Sequence, residues 1–145
     1  MHDLPRKLTV EELADLFEGR TALVERLAER DDPLGSVREA IAGLTEEEKL
    51  EALNAHPAIG ARRLSARSAA EQGEDADPET LTELERLNRA YEERFGFRFV
   101  VFVNRRPKSE IVPILRERLG RTREEELDTA LEELVAIARD RRRRG

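Results

Sequence analysis

A Ser or Thr followed three residues later by Glu recurs along this chain, at Thr9 with Glu12, Ser36 with Glu39, Thr45 with Glu48, Ser68 with Glu71 and Thr122 with Glu125. At that spacing the hydroxyl accepts a bond from the third helical N–H, and the carboxylate reaches back to the backbone N–H of the hydroxyl residue. Each pair therefore marks a helix start. Helices are predicted near 9–30, 36–43, 45–55 and 122–143. "DPET" at 77–80 opens another, with Asp77 as cap and Pro78 in the first position, where its missing donor is not needed. There Leu81, Leu84, Leu87, Tyr91 and Phe95 recur at spacings of three and four, one inward stripe expected to stop at Gly96. A short helix near 109–118 contains Pro113, expected to bend it or confine its regular part.

Charged residues make up 40% of the 145 and aromatics 4%, a composition suited to helices under a charged surface. A chain of this length can withdraw roughly 70% of its unfolded surface from water, so the expectation is an all-α, single-domain helical bundle over 1–145, with 1–8 and 142–145 peripheral. One stretch resists that scheme. "FRFVVFV" at 97–103 has the composition of a buried strand, yet nothing else in the sequence offers it a partner strand. It is therefore predicted to lie extended across helices, its backbone groups satisfied by side chains, water or a ligand. "EQGEDAD" at 71–77 is the expected flexible stretch.

Several function classes are disfavoured. Without cysteine there is no disulfide, thiolate metal site or cysteine nucleophile. No window approaches the length of an apolar membrane span, and the first residues lack a signal-peptide core, so a cytoplasmic, membrane-free protein is expected. The net charge of −6 opposes general nucleic-acid binding. The closing "ARDRRRRG" reads as a solvated last helical turn, its cations complementing the helix dipole.

Three places could carry chemistry. "LNAHPAIG" breaks a helix at a histidine. Proline excludes the preceding residue from helical backbone, so His56 should lie extended at a helix end, where an imidazole suits general acid–base work or serves as a surface or capping group. Ser68 and Glu71 are a capping box or, turned into a pocket, a hydroxyl and a carboxylate at a helix start. In the last helix Leu127, Ala130, Leu131, Leu134, Ile137 and Ala138 form the inward stripe, and about 100° per residue carries it to Arg141. A buried guanidinium there needs an anion or several acceptors: Glu71, a neighbouring helix end, or a substrate carboxylate gripped by its fork. A snorkelling arginine is the plain alternative.

Taken in order, "LFEGRTALVERLAERDDPLGSV", "HPAIG", "SAAEQ", "LNRAYEERFGFRFVVFV" and "EEELDTALEELVAIARDR" resemble the family of 2-oxo-4-hydroxy-4-carboxy-5-ureidoimidazoline (OHCU) decarboxylase, an enzyme of urate breakdown. The resemblance implies an all-helical fold, commonly a homodimer, acting on a small molecule without metal or organic cofactor and yielding (S)-allantoin. It implies His56 and Glu71 as catalytic residues. Pro57, Ser68, Gln72, Val101 through its backbone, and Arg141 would contact substrate, with Arg142 the competitor for the last place. The rival expectations are a non-catalytic helical interaction module, a helical nucleic-acid binder using the arginine tail, or the same fold acting on a related ureido or imidazoline acid.

Overall fold

The computed structural model describes residues 8–57 and 77–144. Among these residues there are seven helices and no strand: α1 (Val10–Phe17), α2 (Ala22–Ala28), α3 (Val37–Ala42), α4 (Glu46–Asn54), α5 (Pro78–Phe95), α6 (Lys108–Leu119) and α7 (Arg123–Arg144). The all-α expectation holds, and the chain forms two compact units. One runs up to His56 and includes the chain from Leu134 onward; the other runs from Pro57 to Glu133.

In the first unit α2 packs against α1, α3 and α4. Leu13, Leu23, Val24, Leu27, Leu53 and Leu134 are fully buried, and Leu8, expected at the periphery, is buried too. The capping boxes at Thr9 and Thr45 form as predicted, with reciprocal bonds of 3.0 and 3.1 Å to Glu12 and of 2.9 and 3.2 Å to Glu48.

Two predictions here are corrected. The helix expected over 9–30 is two helices, because Glu18 turns into left-handed backbone (φ 64°) and Thr21 restarts the chain by accepting from the N–H of Val24. Ser36 precedes α3 without capping it; its hydroxyl donates instead to the carbonyl of Asp32 at 2.8 Å. A lost cap costs about 1 kcal/mol, whereas full burial of a valine such as Val37 contributes about 1.5–3 kcal/mol. Packing thus suffices to keep α3.

In the second unit α5 packs against α6. Asp77 caps α5 through a 2.7 Å bond from the N–H of Thr80, and Gly96 ends it at φ 80°, a conformation that strains residues with a Cβ. Leu84, Leu87, Tyr91 and Phe95 are buried as predicted. Leu81 is exposed: it sits in the first turn, and the buried stripe begins one turn later, at Leu84. Pro113 lies inside α6 without interrupting it. An interior proline costs about 3 kcal/mol, comparable to what burial of the flanking Ile111 and Leu115 contributes.

The run at 97–103 is neither helix nor strand, with Phe97, Phe99, Val100, Val101 and Val103 buried. Side chains satisfy its backbone, as predicted. Glu133 accepts from the N–H of Phe102 at 3.1 Å. Arg118 donates to the carbonyl of Val100 at 2.8 Å, and Arg106 to those of Phe102 and Val103 at 2.6 and 2.9 Å. Arg118 also lies over the Phe99 ring, 4.5 Å from its centroid.

Helix α7 starts at the predicted capping box, Thr122 with Glu125. Its inward stripe is shifted slightly from expectation: Leu127 is only half-buried, while Glu126 and Val135 are buried. The capping box expected at Ser68 and Glu71, and the flexible stretch short of Asp77, lie outside the described residues.

Candidate functional site

Helix α4 ends at Asn54, and the backbone N–H of His56 closes its last turn on the carbonyl of Leu53 at 3.2 Å. Pro57 follows and is half-buried. The imidazole is 6% exposed, so it is no surface histidine. The residue before it, Ala55, faces the elbow between α1 and α2. A Cβ added to Gly19 would stand 3.3 Å from that of Ala55, tighter than ordinary contact, so glycine lets the elbow press against the residue before His56. The elbow is also tied to α4 by Glu51, whose carboxylate accepts from the N–H of Ala22 at 2.9 Å.

The same elbow receives Arg141. Its side chain is 1% exposed, whereas Arg142 faces outward, which settles the register left open by the arginine run. The guanidinium Nη1 donates to the carbonyls of Leu16 at 3.2 Å and Asp15 at 3.4 Å, and Nη2 pairs with Glu18 at 3.0 Å. The last carbonyls of a helix have no partner within it, and the partial negative charge of that end favours a cation. Among the described residues Arg141 thus meets a neighbouring helix end and the carboxylate of Glu18. Asp140, one residue earlier, pairs with Arg143 and Arg144 at 3.5 and 3.0 Å.

In the first unit the elbow thus meets Arg141 on one side and Ala55, next to buried His56, on another. Ser68, Glu71 and Gln72 lie outside the described residues, and Val101 is buried in the second unit. Among the described residues no three His, Cys, Asp or Glu side chains gather as a metal site.

Sequence reasoning missed Glu18 and a buried cluster in the second unit. There Glu126, wholly inaccessible, accepts from the Tyr91 hydroxyl at 2.6 Å, Arg118 Nε at 2.7 Å and Arg121 Nη1 at 2.9 Å. Burial, then the bond to Glu126, pushes the Tyr91 hydroxyl well above its ordinary range. The stripe that flags Arg141 also passes through Glu126, four residues before Ala130. For Glu18 the signal is "FEGRT", a helix stop with a following cap.

By fold this is an all-α protein whose first unit buries one histidine and one arginine, His56 and Arg141, among its described residues. A family model described as OHCU decarboxylase matches residues 2–143. The chain belongs to the OHCU decarboxylase family. It is 32% identical over 142 residues to the 2-oxo-4-hydroxy-4-carboxy-5-ureidoimidazoline decarboxylase of Haloferax volcanii, covering 89% of this chain and 83% of that protein. A uric acid degradation bifunctional protein of a Bacillus species is 30% identical over 138 residues; the match covers 87% of this chain but 27% of that longer protein. Among solved structures, an OHCU decarboxylase crystallised in the presence of (S)-allantoin superposes with a TM-score of 0.76 at 22% identity, covering 90% of this chain and 94% of the other. That likeness concerns the fold. Among the described residues no helix is long and apolar enough to cross a membrane.

Proposed function

We infer that this chain is a carboxy-lyase that decarboxylates 2-oxo-4-hydroxy-4-carboxy-5-ureidoimidazoline to (S)-allantoin in urate degradation. The observation that supports the reading beyond family membership is that His56 and Arg141 are both buried in the same unit, Arg141 at the elbow that packs against the residue before His56. Loss of carbon dioxide needs a sink for the electron pair of the breaking C–C bond, and the imine of the substrate's own ring can take it. The protein's task is then to hold an anion and move protons.

In this reading Arg141 binds the anionic substrate through its planar fork. His56 handles the proton of the ring hydroxyl as carbon dioxide leaves, and the enol-like intermediate is protonated on one face, which sets the hand of the product. Glu71 orients the imidazole, and Ser68, Gln72, Pro57 and the backbone of Val101 contact substrate; these roles rest on the resemblance alone. So do a homodimeric assembly, a cytoplasmic location and operation without a cofactor.

The test exploits the substrate's own decay to racemic product. Urate, its oxidase and the ring hydrolase are incubated with and without the protein, and allantoin is followed by circular dichroism. One enantiomer is expected with the protein present, formed faster than without it; a racemate at the unassisted rate would refute the reading.

A further inference from the structure

We propose that Glu18 is a positioning residue, whose carboxylate aims the Arg141 guanidinium from the elbow that also packs against Ala55, next to His56. The proposal rests on the reading of Arg141 as the substrate-binding arginine, and it adds a residue which that reading does not contain.

Three observations carry it. Glu18 occupies left-handed backbone (φ 64°, ψ 25°) directly before Gly19, a conformation that glycine would adopt with less strain. A side chain is nevertheless present there, and it meets Arg141 Nη2 at 3.0 Å. The other end of the guanidinium is pinned as well, Nη1 resting on the carbonyls of Asp15 and Leu16. With acceptors on both terminal nitrogens, the plane of the fork cannot rotate about the side chain. Finally, the residue after Glu18 is the glycine that closes on Ala55, next to His56. From Arg141 the contacts thus lead through Glu18 and Gly19 to Ala55, the residue before His56, all in one unit.

Arginine serves as a fork only when its plane is set. A guanidinium free to swing keeps its charge but loses paired hydrogen bonds to a planar anion. Removing Glu18 should accordingly weaken substrate binding more than turnover.

The experiment measures KM and kcat in the coupled assay for Glu18→Gly, Glu18→Asp and Glu18→Gln, beside Arg141→Lys. Glycine suits the backbone and removes the carboxylate. Aspartate keeps the charge and tolerates left-handed backbone, but draws the acceptor away, so it remains informative should the glycine variant fail to fold. Glutamine keeps an acceptor oxygen in place without the charge. The expected result is a KM raised on the order of tenfold in the Gly and Asp variants, the loss of about one hydrogen bond to a charged group, with kcat changed less. Glu18→Gln should restore KM to within about threefold of the parent, because position rather than charge is retained. Equal KM values in all three Glu18 variants and the parent, alongside a raised KM in Arg141→Lys, would overturn the role of Glu18 and leave that of Arg141 standing. A KM for Glu18→Gln as high as for Glu18→Gly would also overturn it. An unchanged KM in Arg141→Lys would remove the substrate role of Arg141, and the proposal with it.

Discussion

At the scale of single residues, burial distinguishes His56 and Arg141 from the solvent-facing polar residues around them. His56 terminates α4 with its ring withdrawn from water. Of the adjacent arginines at 141 and 142, one is enclosed and one faces solvent. Replacing the imidazole by a side chain that cannot exchange a proton near neutrality tests its role directly. His56→Asn should lower turnover at least about 10²-fold, the lower end of what positioned proton transfer contributes, while the far-ultraviolet circular dichroism of the helices stays unchanged. Turnover like the parent's would take His56 out of the reaction. Glu126 is enclosed to the same degree, yet it is saturated by Tyr91, Arg118 and Arg121. Its geometry speaks for holding the second unit together: the arginine it anchors reaches the backbone of the run at 97–103, at Val100.

Among elements, one local signal has two outcomes. Thr45 with Glu48 closes a full capping box on α4, whereas Ser36 spends its hydroxyl on the turn before α3. Urea unfolding should register the difference. Thr45→Ala is expected to cost about 1 kcal/mol, the usual effect of removing an N-cap. Ser36→Ala should cost less, because no helical N–H loses a partner. Equal losses would mean that Ser36 caps α3 in solution. The break between α1 and α2 belongs to the same scale. A continuous helix through 18–21 would remove both the turn that Ala55 packs against and the helix end that Arg141 meets, so the left-handed turn at Glu18, which costs on the order of 1 kcal/mol, is what creates the arrangement.

For the molecule as a whole, Tyr91 and Glu83 contribute to how stability depends on pH. The Tyr91 hydroxyl is held protonated, first by burial and then by its bond to Glu126, above its ordinary value of 10.0. The fold therefore binds a proton that the unfolded chain releases. The associated stability is complete below pH 10 and falls as pH rises beyond it. Tyr91→Phe should reduce the slope of the urea midpoint against pH above about 10, even though it weakens the fold at neutrality by removing a buried bond. An unchanged slope would place the alkaline transition elsewhere. On the acid side Glu83 is held down at about 2 by hydrogen bonds from Arg86 and then Arg116. Its contribution is present above the ordinary 4.5 and is lost as pH falls toward 2. Since Glu83 lies at the surface, that contribution is modest and screened by salt.

Capping pairs and periodic spacing act within about four residues, so the amino-acid order alone determined most helix starts, the inward face of α5, the break at His56 and the inward direction of Arg141. It also determined that 97–103 must find partners for its backbone outside a sheet. It did not determine who those partners are. Arg141 and the carbonyl it caps at Leu16 are 125 positions apart, and Phe102 and Glu133 are 31 apart; no short-range pattern encodes such pairings. Only tertiary packing could decide that the carboxylate facing Arg141 is Glu18, or that the hydroxyl of Ser36 turns away from α3. Burial of the surrounding apolar side chains, about 1.5–3 kcal/mol for each fully buried one against about 1 kcal/mol for a cap, fixes which groups meet.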